Sequence, residues 1–596
     1  MFFHTSKYFF TICCRFLIFV YMKRVLILAL AAFTILAAAC SSGERTLHII
    51  TTGDVHGSWF DQPYVEGQSA RTSLMSVAAW VDSLRAAAGP KNVLLLDAGD
   101  CLQGDNAPYY YNYVDTLGEH PFVKLVSAMG YDAVAVGNHD IETGHPVYDK
   151  LAQQLGGRGI PFMAANAVRT DNGEPYFTPY KVFRRGGMKV AVIGFTNPNM
   201  KAWLAESVWS GIEFKSLIPC VQEWVDRVRE KEHPDLVVAL THSGTGEGDG
   251  SSLESQGLDL LACVEGVDLI VCAHDHRPLV ANREDTYLMN GGARAGYVGH
   301  AEVRSERKGG RLVSKQLSVR TERMDKARVD EDLEALLLPE YERVKAFTLQ
   351  PVGELAMELR TRDAYRGMCD YVNLVHTVQL GVDGVQLSFA APLTYDGTVK
   401  AGQVIFNDMF TIYPFENQLY VVRLKGSEIK DYLEYSYDKW IQTPGAHVLN
   451  ITASPDARTG ARRWSFVNRS YNFDSAAGLV YTVDVSRPAG SRIRIQSLAD
   501  GAAFDPSAWY MVAMTSYRAN GGGDIILKGA GLSREEVEAR IVARLPEVRE
   551  LIYQFFMEHG TVDAALVGDR SVIGEWHFVP EKLVGPLMDA DMNLIF

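Results

Sequence analysis

Cysteine is scarce, eight in 596 residues, and beyond Cys40 only Cys101, Cys220, Cys263, Cys272 and Cys369 remain. An odd number with no C-x-x-C pair agrees with a chain that does not depend on disulfides, and each reads as a small buried hydrophobe. Positive charge is short as well. The formal net charge is −14, which argues against a nucleic-acid polymer as the habitual ligand, because affinity for phosphate backbones comes mainly from Lys and Arg. Internal repeats and low-complexity tracts are missing. What is present is an ordinary globular composition, 47% hydrophobic and 22% charged. Single cores stop growing near ~250 to 300 residues, so at least two domains are expected.

The N-terminus reads as an export signal. Residues 22–40, MKRVLILALAAFTILAAAC, have a basic start, an apolar stretch and small residues before a cysteine. The stretch is shorter than the ~20 residues of a spanning helix, and Lys23 and Arg24 separate it from the earlier apolar segment, so Met22 is a plausible start. The small residues before Cys40 resemble a bacterial lipobox, with Ala37 where leucine is usual. The expectation is an exported protein of the periplasm or cell envelope, held to the membrane by a lipid on Cys40; simple cleavage and secretion is the alternative.

Five short apolar runs punctuate the first half: LHII at 47, VLLL at 93, AVAV at 133, LVVAL at 236 and LIVC at 269. Each is too short for a helix, and helical patterns such as VQEWVDRVREKE lie between them, so the spacing predicts an α/β layered domain. YKVFRRGGMKVAVIGF and HAEVRSERKGGRLVSKQLSV place Gly-Gly between alternating strands and read as hairpins. Near residue 325 the character shifts to a charged helical connector that Pro339 would kink or divide, and a second domain follows from about 350.

The residues after the five runs carry the chemistry: TTGDVH, DAGD, GNHD, THSG and AHDH. All five offer metal-ligand groups, and ligands of open α/β sheets collect beyond the carboxyl ends of strands. Asp54 and His56 are two apart, as are His274 and His276, so on an extended backbone each pair projects to the same side. Seven donors, Asp54, His56, Asp100, Asn138, His242, His274 and His276, are too many for one tetrahedral ion and suit two divalent ions sharing a carboxylate. Mixed nitrogen and oxygen donors point to Zn, Mn or Fe. Asp97 continues its strand directly and reads as a structural carboxylate.

In this order the motifs resemble those of the calcineurin-like metallophosphoesterases. The resemblance implies a four-layer α/β/β/α fold, one metal held by Asp54, His56 and His276, a second by Asn138, His242 and His274, and Asp100 bridging. It further implies that His139 meets the developing charge or acts as general acid, that Glu142 orients it, and that Asp140 supports the loop. YPFEN at 413 and TSYRANGGGD at 515 resemble the base-binding segments of the C-terminal α+β domain of the 5'-nucleotidases, which would make Phe415 and Tyr517 a base sandwich and Asn417 and Asp524 polar readers. The implied organisation is a leader and signal at 1–40, a dimetal domain at 46–325, a helical linker and hinge candidate at 326–348, and a substrate-binding domain at 349–580. SFAAP, SYRANGG, His276 and the lack of an arginine loop ahead of YPFEN look more like the 2',3'-cyclic-nucleotide 2'-phosphodiesterase/3'-nucleotidase branch than a 5'-nucleotidase/UDP-sugar hydrolase. Nucleotides are the substrates expected. A catalytically silent nucleotide-binding lipoprotein would have lost a metal ligand, and a polymer nuclease would need a basic groove.

Overall fold

The computed structural model describes residues 43–308, 311–455 and 460–596; the export segment and Cys40 lie outside the described residues. All five apolar runs form strands, and they divide between two sheets. Gly43–Thr52, Val93–Asp97 and Ala133–Ala135 run parallel within a six-stranded sheet, and Leu236–Thr241 and Leu269–Cys272 run parallel within a second six-stranded sheet. Runs of Val, Ile and Leu without alternation fit strands covered on both faces. Leu47, Ile49, Leu94, Leu96, Val190, Val192, Leu236 and Val238 fill the space between the sheets. Helices such as Leu74–Ala88 and Leu217–Glu232 cover the outer faces, giving the α/β/β/α order.

Both Gly-Gly segments lie between paired antiparallel strands. Arg185 pairs with Met188 across Gly186 and Gly187, whose φ values of 56° and 72° make a turn that favours two glycines. Strands Tyr297–Lys308 and Arg311–Arg323 form the longer pair at the edge of the first sheet.

The segment expected as a linker is otherwise than its charge suggested. Glu331–Thr348 is one helix with Pro339 inside it, capped by Asp330, whose carboxylate accepts from the Leu333 N–H at 2.9 Å. Leu333, Leu337, Tyr341 and Val344 share one face and are buried in the core of the first domain. Pro339 lies on the exposed face, where water can satisfy the carbonyl that loses its helical partner, so the helix continues. The helix therefore belongs structurally to the first domain.

In the second domain a five-stranded sheet includes Leu387–Ala390, Gln418–Lys425 and Trp509–Thr515. Helix Gly426–Trp440 packs on it through Ile429, Leu433 and Tyr437, all fully buried at the four-residue spacing of one helical face.

Candidate metal centre

The carboxyl ends of strands from both sheets meet at one place, and their loops brace one another. The Asp54 N–H donates to Gly99 O at 2.9 Å, that of His56 to Asp100 O at 3.0 Å, and that of His242 to Phe195 O at 2.8 Å. Two glycines permit the close approach. A Cβ on Gly137 would stand 2.1 Å from an Asp100 carboxylate oxygen, and Gly99, at φ 96°, would meet the Gly137 amide at 2.6 Å. Asp140 then holds both loops, accepting N–H bonds from Asp100, Cys101, Leu102 and Gly137 at 2.8 to 3.1 Å. Asp97 is occupied by the Thr52 hydroxyl, the Gly99 N–H and the Cys101 thiol, so it turns away from the donors.

The donor side chains assemble into two groups, Asp54 with His56 and His276, and Asp100 with His242 and His274. In the first, His56 Nε2 and His276 Nε2 are 2.9 Å apart, with Asp54 Oδ1 at 4.0 and 3.8 Å from them. In the second, His242 Nε2 lies 3.1 Å from Asp100 Oδ2, and Asn138 Oδ1 lies 3.0 Å from His242 Nε2 and 2.9 Å from His274 Nδ1. Asp54 Oδ1 is also 4.0 Å from His242 Nε2, so it faces both groups.

The backbone that achieves this is not the extended one assumed from the two-residue spacing. Asp54, His56, Asp100, His274 and His276 all have positive φ, between 47° and 74°. His274 and His276 consequently serve different groups instead of projecting to one side. Such conformations cost of order 1–3 kcal/mol each in a non-glycine residue and persist where the surroundings over-determine them.

The chemistry of the donors fits divalent cations. Asp54 Oδ1 is buried without a hydrogen-bond partner. Burial pushes the Asp54 carboxyl well above its ordinary range despite the opposing His242, and burial likewise pushes the His56 imidazole well down and His276 to about 4. A buried carboxyl oxygen left without a partner, beside the two imidazoles of the first group that burial keeps neutral, is what a cation would satisfy. The other ring nitrogens of His242 and His56 are turned to the Ala98 and Gln103 carbonyls at 2.8 and 3.3 Å, the arrangement that fixes a ligating tautomer.

His139 stands at the edge of the first group, its ring 5.4 Å from that of His56. Its backbone N–H donates to Asp100 Oδ1 at 2.8 Å, and its ring Nδ1 lies 2.5 Å from Glu142 Oε2. Burial would lower this imidazole, but the Asp100 and Glu142 carboxylates outweigh it and hold it up at about 10. Residues 47–278 match the calcineurin-like phosphoesterase family, and residues 350–529 match the 5'-nucleotidase, C-terminal domain family.

The chain is a calcineurin-like phosphoesterase joined to a 5'-nucleotidase C-terminal domain. It is thus a hydrolase of the metallophosphoesterase/nucleotidase family. It is 25% identical to the 2',3'-cyclic-nucleotide 2'-phosphodiesterase/3'-nucleotidase of Haemophilus influenzae, across 94% of this chain and 92% of that protein. The Salmonella typhimurium protein of the same name is also 25% identical, over 82% of this chain and 83% of its own length. Among solved structures, a putative 5'-nucleotidase from Staphylococcus aureus superposes with a TM-score of 0.74 at 20% identity, covering 89% of this chain and 99% of that one. A likeness at that identity speaks for the fold alone.

In the C-terminal domain of this phosphoesterase, Phe415 and Tyr517 are bridged by a residue the sequence reading did not single out. Tyr471 meets Phe415 edge-on at 6.1 Å between ring centroids and Tyr517 edge-on at 6.3 Å. The Asn417 backbone carbonyl accepts the Val548 N–H at 2.9 Å, and Asp524 is paired with Lys528 at 2.9 Å. Sequence reading also passed over Glu254, 3.8 Å from His274, and Trp203, stacked on the His274 ring at 5.2 Å. Arg294 escaped it too; its N–H donates to Asp54 O at 2.9 Å and its charge helps depress His56 and His276. None of these stands at a strand end or in metal-ligand spacing, so no signal marked them.

Proposed function

We propose that this phosphoesterase hydrolyses nucleotides at a two-metal centre, with the preference of a 2',3'-cyclic-nucleotide 2'-phosphodiesterase/3'-nucleotidase. One observation carries the reading: two donor groups facing a shared, partnerless Asp54 oxygen, with His139, paired to Glu142, at their edge. Asp54, His56 and His276 would hold one ion, Asn138, His242 and His274 the other, and Asp100 would lie between them. Bound Zn, Mn or Fe supplies Lewis acidity toward phosphoryl oxygens and lowers the pKa of water enough for a nucleophile at neutral pH. His139 supplies a positively charged N–H to the charge that develops on the phosphoryl or leaving oxygen, and Glu142 fixes which nitrogen faces it.

Phe415 and Tyr517 are the residues proposed to stack on the base, with Asn417 and Asp524 as polar contacts to base or ribose. The relatives named above support the cyclic-nucleotide preference, as do residues 386–408 ahead of YPFEN, which carry no arginine. Export, with a lipid on Cys40, is part of the same proposal and rests on residues 22–40 alone.

The test is a panel of initial rates on 2',3'-cyclic AMP, 3'-AMP, 5'-AMP and UDP-glucose, with the protein stripped of metal and reloaded with Mn or Zn. Fastest turnover is expected on the cyclic compound and 3'-AMP. Preference for 5'-AMP or UDP-glucose would reassign the substrate, and no metal-dependent turnover on any of them would favour a silent nucleotide binder.

A further inference from the structure

The two aromatics proposed to hold the base make no direct ring contact with each other among the described residues; each instead meets Tyr471. Interplanar angles of 77° and 84° set Tyr471 nearly perpendicular to both Phe415 and Tyr517. A ring standing across two others in this way closes one end of the space they bound. We infer that Tyr471 is the third wall of the base slot and a specificity-determining residue, meeting the edge of a purine or pyrimidine held by Phe415 and Tyr517. The inference rests on the base-slot reading given above and adds to it the residue that touches the base's polar rim.

The fold fixes Tyr471 in this place through its backbone. Arg518, only 3% exposed, donates to Tyr471 O at 2.9 Å and to Asp474 through two bonds of 2.8 and 2.7 Å. The same guanidinium reaches Gly522 O at 2.5 Å, in the loop between Tyr517 and Asp524. One buried cation therefore ties the Tyr471 segment to the Tyr517 segment, and the Tyr471 side chain is left for the slot.

The hydroxyl has chemistry to offer there. Burial first, and then the Glu254 carboxylate across the domain boundary, push the Tyr471 phenol above its ordinary range. It stays protonated and can both donate to and accept from the rim of a base. Asn520, three residues after Tyr517, donates to Trp203 O at 3.4 Å, and Trp203 stacks on the His274 ring, so the slot adjoins the second donor group.

Adenosine carries a base and no phosphate, so its binding reports on the slot apart from metals and turnover. Titration calorimetry of adenosine and uridine would be run on the full chain and on Phe415→Ala, Tyr517→Ala, Tyr471→Ala and Tyr471→Phe. Loss of an edge-on aromatic contact is expected to weaken adenosine about 3- to 10-fold in Tyr471→Ala, and loss of the hydroxyl in Tyr471→Phe is expected to shift the adenosine-to-uridine ratio. Tyr471→Leu, which fills similar space without a ring, replaces the alanine variant if that one does not fold. Weakening by Phe415→Ala and Tyr517→Ala with no change at either Tyr471 variant would overturn the inference and leave the base slot standing. No weakening by any variant, or no binding by the wild type, would overturn both.

Discussion

At the scale of single residues, several donors are held by groups that do not themselves bind metal. Asp140 is the clearest case, since its carboxylate takes four backbone N–H groups from the two loops that carry Asp100 and Asn138. Each buried N–H left without an acceptor costs about 1–3 kcal/mol. Asp140→Ala is therefore expected to destabilise the protein by at least about 3 kcal/mol and to lose bound metal, as read by denaturant melts and metal analysis; an unchanged melt would show that other groups hold the loops. His139 is different, because its side chain meets Glu142 and belongs to neither donor group. His139→Ala is expected to lower kcat about 10²- to 10³-fold while both ions stay bound. If metal left with the imidazole, His139 would have to be counted among the ligands. The family resemblance of their shared motif implied different roles for His139 and Asn138, but not the left-handed backbone at five of the donors. That conformation comes from the loops bracing one another across two sheets, which no local preference of Asp or His encodes.

At the scale of elements, the strands were legible because apolar runs of four or five residues have few other places to go. The helix Glu331–Thr348 was legible as a helix and not as part of the first domain, because apolar residues interspersed with many charges look like a solvated connector until a partner surface is known. Helix Asp370–Leu380 adds a prediction of its own. It buries His376, whose ring nitrogens lie 2.8 Å from the Ser388 hydroxyl and 3.2 Å from that of Ser475, and burial holds this imidazole down at about 3. The unfolded chain binds a proton near ~6.5 where the folded one does not. The stability tied to His376 is thus complete above that pH and is lost as pH falls from there toward about 3. The buried His120 of the first domain, also held at about 3 by burial, acts in the same direction. Melting temperature is expected to drop between pH 7 and pH 5, and His376→Gln should flatten that dependence; an unaltered slope would assign it to other groups.

At the scale of the whole molecule, the two domains meet beside the donor groups through a buried cation. Arg549, 1% exposed, pairs with Glu416 at 3.2 Å and lies over the Phe410 ring at 4.3 Å and the Tyr109 ring of the first domain at 4.8 Å. Asn106 in the first domain donates to Asn407 in the second at 3.0 Å. Removing one partner of a buried ion pair typically costs about 3–5 kcal/mol, since the other is left without compensation. Arg549→Ala is expected to show that loss in denaturant melts and to loosen the domain contact, read as a larger radius in solution scattering. An unchanged melt and radius would make the pair incidental to the interface.

The sequence by itself determined the strands, the order of the motifs and the residue types that can bind metal, because apolar runs and ligand chemistry are local properties. The tertiary structure decided how seven donors divide into two groups, which aromatic stands between Phe415 and Tyr517, and which domain owns the helix at 331–348. Those outcomes depend on contacts between segments hundreds of residues apart, such as the 220 positions between Asp54 and the His274 N–H that it accepts. Distance along the chain carries no information about such meetings; only the packing of the two sheets and the second domain brings them about.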